Sequence, residues 1–104
     1  KIARIGVNGI RVGFGCGSYF NGKEFTGTGY PQISAISDCA KVLKKYEIPL
    51  MCDGDIRVPG DTIKALAAGA DSVMIGCYFA ATDASPAKTV RSEGRRCKIY
   101  VEKG

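Results

Sequence analysis

The sequence predicts an α/β fold in which three parallel strands are joined by helices and belong to a larger closed barrel. Three observations predict it. Apolar runs at residues 10–14, 50–52 and 72–75 are each followed closely by glycine. The stretches between them carry helical periodicity, and strands alternating with helices of roughly a dozen residues make βαβ units with a parallel sheet. Three strands and two helices cannot cover both faces and both edges of such a sheet, so further polypeptide is expected to complete it.

Residues 2–9 read as a helix end followed by the turn Val7-Asn8-Gly9. The first strand, residues 10–14, has Arg11 as its one polar interruption. From Val12 to Gly29 the chain reads VGFGCGSYFNGKEFTGTG. Glycines at this density let backbone amides approach an anionic ligand without an intervening Cβ. Pro31 suits the first turn of a helix over residues 32–46. There Ile33, Ile36, Ala40, Leu43 and Tyr46 recur at three- and four-residue steps, which predicts one buried face.

Pro49 leads into the second strand, which closes on Asp53-Gly54. A second helix is expected from Pro59-Gly60-Asp61, capped by Asp61 or Gly60, with Ile63, Leu66 and Ala67 inward and a left-handed stop at Gly69. After the third strand, residues 82–86 read as a loop and residues 89–101 as a hairpin turning at Glu93-Gly94. The chain therefore divides into a βαβαβ core, residues 1–81, and a hairpin segment, residues 82–104.

Composition narrows the function. A chain of 104 residues makes one small unit. No apolar run approaches the ~20 residues that cross a bilayer. No secretory leader is evident, and an opening on Lys1 rather than Met is expected of a piece of a longer product. The net charge of +5 is spread out, apart from the basic stretch 91–98. No interleaved aromatics form a stacking platform, so neither nucleic acid nor membrane is an expected partner. Cys16, Cys39, Cys52, Cys77 and Cys97 are odd in number and lack C-x-x-C spacing. They are expected to be reduced thiols of a cytoplasmic protein. With no histidine, a zinc site would need thiolates or carboxylates alone, and no metal is expected.

Val12-Gly13-Phe14-Gly15-Cys16-Gly17-Ser18, Thr26-Gly27-Thr28-Gly29-Tyr30-Pro31-Gln32, Asp53-Gly54 and Gly69-Ala70-Asp71-Ser72-Val73-Met74-Ile75-Gly76 resemble, in that order, the C-terminal part of the IMP dehydrogenase and GMP reductase family. The segment ending at Gln32 looks more like the GMP reductases. The resemblance implies a (β/α)8 TIM barrel of which these are strands six to eight, a setting in which phosphates sit at the last βα loops. It implies an NADP- or NAD-dependent oxidoreductase acting on the purine ring of a nucleotide monophosphate. A monovalent cation and a homo-oligomer are also implied.

By the same resemblance Ser18 bonds the nucleotide phosphate, Asp53 grips the ribose hydroxyls, and Gly54 and Gly76 belong to the phosphate loops. Cys77 stands where the family often has serine or glycine. Gly15, Gly17 and Phe20 fall at the cation-binding positions. Three departures bear on activity. Phe20 occupies the place of the family's nucleophilic cysteine, and a phenyl ring forms no thio-adduct at purine C2. Cys16, four residues earlier, is a weak substitute. Gly22 stands for the catalytic threonine. Asp55 replaces a glycine, and a carboxylate ~5 Å from a phosphate costs on the order of 3 kcal/mol per unit charge at an effective dielectric of 20. Asp55 is therefore expected to turn away, to Arg57 or to Arg95 and Arg96, or to mark a different ligand. The leading expectation is a reductase or dehydrogenase segment that holds phosphate and ribose. The alternative is a catalytically impaired nucleotide-binding or structural barrel segment.

Overall fold

The computed structural model describes residues 1–13, 29–54 and 56–99. Its centre is a parallel sheet of β1 (Ile10–Gly13), β2 (Leu50–Asp53) and β3 (Ser72–Met74), in the order β1-β2-β3. The register pairs Ile10 with Leu50 and Gly13 with Asp53, then Met51 with Ser72 and Asp53 with Met74. Helix α1 (Gln32–Leu43) connects the first two strands and α2 (Pro59–Ala67) the next two. The short α3 (Cys77–Ala80) follows β3, and β4 (Thr89–Ser92) pairs antiparallel with β5 (Arg95–Lys98). The predicted parallel core and terminal hairpin are both present.

Strand periodicity decides which side of the sheet is covered. Ile10, Val12, Leu50, Cys52 and Val73 alternate onto one face and join the core with Ile36, Leu43, Ile56, Ala65 and Ala70. Ile36 and Cys52 are wholly buried. Burying one such aliphatic side chain contributes roughly 1.5–3 kcal/mol, so this helix–sheet seam holds the fold together. The opposite face carries Arg11, Gly13, Met51, Asp53, Ser72 and Met74, of which Arg11, Gly13, Ser72 and Met74 are exposed.

Several boundaries and faces differ from expectation. The opening segment is a 3-10 turn, Ile2–Ile5, closed by Gly6. The first helix stops as an α-helix at Leu43 and tightens into a 3-10 turn, Lys44–Tyr46, before Glu47 adopts a φ of 52°. Ile36 and Leu43 are buried, but Ile33 and Tyr46 remain exposed. A single covered sheet face engages a narrower stripe than the periodicity implied.

The larger correction concerns α2. Its N-cap is Val58, not Asp61 or Gly60. Asp61 lies three residues in and reaches back, its carboxylate accepting the Arg57 N–H at 3.1 Å and the Val58 N–H at 3.2 Å. That phase turns Ala65 into the core and leaves Ile63, Leu66 and Ala67 exposed. Small side chains win the buried positions because α1 and α2 approach closely at Gly69, where a Cβ would lie 2.6 Å from that of Ala40. The expected left-handed stop at Gly69 is present, with φ at 112°.

The two backbone donations hold the Asp61 carboxyl below its ordinary 3.8. A depressed folded pKa means that the anion's stabilisation is full above the ordinary value and is lost as pH falls through the folded one. Thermal melts between pH 6 and pH 2.5 should therefore show an acid-side loss of stability that Asp61→Asn reduces. A variant with an unchanged acid slope would refute this capping role.

At the bottom of the sheet Asp71 fixes the register of β3 on β2. Its N–H donates to the Leu50 carbonyl at 2.8 Å, and its carboxylate accepts the Leu50 N–H at 2.7 Å. The hairpin turns at Glu93 and Gly94, both at positive φ, the geometry that matches strand twist in a two-residue turn. Lys98 anchors it by donating to the Ser85 and Ala87 carbonyls, and Arg96 pairs with Asp83.

Candidate functional site

The parallel register brings all three strand ends to one edge, since Gly13 pairs with Asp53 and Asp53 with Met74. Gly54 follows directly, at a φ of 106°. Gly76 lies two residues past the end of β3, where its carbonyl accepts the Ala80 N–H and starts α3. Asp53, Gly54, Gly76 and the backbone of Cys77 thus belong to the same rim. Ser18, Asp55, Gly15, Gly17, Phe20 and Gly22 lie outside the described residues.

Asp53 is the rim's described carboxylate. Its side chain is 14% exposed, and the Nε of Arg11 lies 3.4 Å from one carboxylate oxygen. Arg11 is itself 57% exposed, so the pair is worth no more than about 1 kcal/mol of stability. Its consequence is geometric: the carboxylate is steadied while its other oxygen keeps acceptor capacity. Arg11 Nη1 also reaches the Met74 sulfur at 3.9 Å, so the guanidinium spans all three strands on the opposite face.

Gln32, the first residue of α1, makes the second set of rim contacts. Its Nε2 donates to the Val12 carbonyl and to the Asp53 carbonyl, each at 3.1 Å. The Cys52 sulfur lies 3.4 Å from the same nitrogen. Directly below, Gly13 has a φ of 128°, and a Cβ there would overlap the Asp53 carbonyl and the Gln32 amide. Gly13 is thus glycine both for its conformation and for the closeness of β1 to β2 at the rim.

Near the entry to α1, Tyr30 donates to Asp38 at 2.9 Å, which raises the Tyr30 hydroxyl above its ordinary value. That bond, joined by Lys41, lowers Asp38. Among the described residues no group of three or more Cys, Asp or Glu is placed to hold a metal ion, and no helix is long and apolar enough to cross a membrane.

Sequence reasoning singled out Asp53, Gly54 and Gly76 but passed over the roles of Arg11 and Gln32. Period two on β1 puts Arg11 on the face shared by Met51 and Asp53, so the signal for Arg11 lay in the alternation. Gln32 carried no such signal, because its partners are main-chain carbonyls.

The family model of the IMP dehydrogenase / GMP reductase domain matches residues 1–104. Inosine-5'-monophosphate dehydrogenase from Chlorobaculum tepidum is 50% identical over 99 residues, which are 95% of this chain and 20% of that protein. GMP reductase from Leishmania donovani is 43% identical over 94 residues, 90% of this chain and 19% of that protein. Among solved structures, a cysteine-to-alanine variant of GMP reductase from Trypanosoma brucei superposes with a TM-score of 0.84 at 37% identity, covering 93% of this chain and 21% of the other. The chain spans about a fifth of the length of these relatives.

Proposed function

Because the chain belongs to the IMP dehydrogenase / GMP reductase family, we propose that it forms the phosphate- and ribose-holding rim of a (β/α)8 barrel oxidoreductase acting on a purine nucleotide monophosphate. The observation that carries the proposal is the alignment of the three strand ends, which brings Asp53, Gly54 and Gly76 to one edge. Carboxyl ends of parallel strands are where barrels of this kind hold phosphates. In this reading the strands are the sixth, seventh and eighth. The second sheet face, and the edges of β1 and β3 that have no strand partner among the described residues, are completed by the remaining barrel, within a homo-oligomer.

The roles follow from chemistry. Ser18 and the glycine loop donate hydrogen bonds to the phosphate, and Gly54 and Gly76 let backbone approach it. Asp53, an acceptor held by Arg11, takes the ribose hydroxyls. Gly15, Gly17 and Phe20 offer carbonyls to a monovalent cation, and Cys77 lies beside the phosphate loop. An oxidoreductase of this family takes NADP or NAD as its cofactor. That cofactor, when bound, carries the hydride. The chain's own residues hold and orient the nucleotide.

Phe20 supports a second reading, a rim that binds nucleotide without turnover, since the position of the family's nucleophile has no thiol. Calorimetric titration with IMP and GMP tests the shared claim, and NADPH absorbance in the presence of GMP separates the two readings. Asp53→Asn is expected to weaken nucleotide binding about 10- to 100-fold, the scale of a lost hydrogen bond to a charged group. Binding of IMP and GMP unaffected by that substitution would remove Asp53 from the site.

A further inference from the structure

We infer that Gln32 is a positioning residue: its side-chain amide latches the ends of β1 and β2 together and thereby sets the direction of the Asp53 carboxylate. The inference rests on the reading of Asp53 as the ribose acceptor and adds the device that aims it. A primary amide has two N–H groups, so one Gln32 side chain can satisfy two carbonyls. The Val12 and Asp53 carbonyls stand at the last rungs of adjacent parallel strands, 3.1 Å from Nε2 in each case. Here the backbone leaves the ladder, with Gly13 at a φ of 128° and Gly54 at 106°. A carbonyl oxygen has two lone pairs, so each can take the Gln32 amide as a donor in addition to its strand partner.

The latch acts on Asp53 from its main chain while Arg11 acts on its carboxylate, so the residue is held at both ends. Glycine at position 13 is part of the same device. A Cβ there would occupy the space in which the Gln32 amide meets the Asp53 carbonyl. Cys52 forms its floor, a wholly buried side chain with its sulfur 3.4 Å from Nε2. Gln32 starts α1, so the helix that covers the sheet also carries the latch. Helix docking and rim geometry are thereby coupled.

The test is Gln32→Met, which keeps length and removes both donors, with Gln32→Glu as a second variant that presents only acceptors to the two carbonyls. Two readouts are taken on the full chain. The first is the ratio of affinities for IMP and its 2′-deoxy analogue by calorimetry. A misdirected Asp53 loses the 2′-hydroxyl contact, so the ratio should fall by about fivefold or more, whereas a general loss of stability weakens both nucleotides alike. The second is amide exchange without nucleotide. Exchange at Val12, Gly13 and Asp53 should rise about tenfold, while Ile10 and Leu50, fixed by Pro49 and Asp71 at the far end, stay unchanged. Should the wild type bind neither nucleotide, the functional reading fails and the exchange readout alone decides the latch. An unaltered exchange pattern, or an unaltered affinity ratio in a binding protein, would overturn the inference.

Discussion

Gly13→Ala is expected to destabilise the protein by about 3 kcal/mol or more, since a non-glycine residue at such a dihedral costs of order 1–3 kcal/mol before any overlap is counted. The overlap adds to this. A Cβ on Gly13, whose φ is 128°, meets the main chain of Asp53, and no rotamer change can move backbone out of the way. Relief would require β1 and β2 to part at the rim, where the Gln32 amide joins them. Urea denaturation gives the measurement, with Gly60→Ala as the comparison. Gly60 sits in the first turn of α2, and a Cβ added there would meet nothing within 4 Å, so its replacement should be neutral or stabilise by about 0.5–1 kcal/mol. A Gly13 variant that loses less than about 1 kcal/mol would show that the strands do not approach as described.

Ile36→Ala should cost about 2–5 kcal/mol, the range for an aliphatic side chain cut back in a packed core. Ile36 is wholly buried at the middle of α1, between that helix and the sheet. Removing three carbons leaves a cavity that the rigid strands beneath cannot collapse into. Ile63→Ala is the informative contrast, because periodicity alone assigned both residues to buried faces. Ile63 is 66% exposed, and its replacement should fall within about 0.5 kcal/mol of wild type. Midpoints of thermal or urea unfolding decide the comparison. Equal losses at the two positions would mean that α2 is turned the other way.

That contrast also shows which parts of the fold were legible. The strands could be read because period two and terminal glycines are local signals, and the parallel arrangement followed from the intervening helices. The hairpin was marked by Glu93-Gly94. The rotation of α2 was hidden, because the amphipathic pattern of Ile63 and Leu66 pointed one way while Asp61 reaching back and Ala65 packing closely set another. At the rim, Asp53, Gly54 and Gly76 were visible as residues ending strands. Arg11 needed the cross-strand register to find its partner, and Gln32 needed the three-dimensional structure, since a side chain bonding two main-chain carbonyls leaves no pattern in sequence.

Titration of the isotope-labelled chain with GMP, followed by amide chemical shifts, puts the proposed location of the nucleotide most directly at risk. Perturbations should concentrate at Gly13, Asp53, Gly54, Gly76 and Cys77, with Glu47, Ile48 and Asp71 at the opposite end unmoved. Perturbations gathered instead between α1 and α2 at that lower end, with the strand termini silent, would rule out a nucleotide held at the rim.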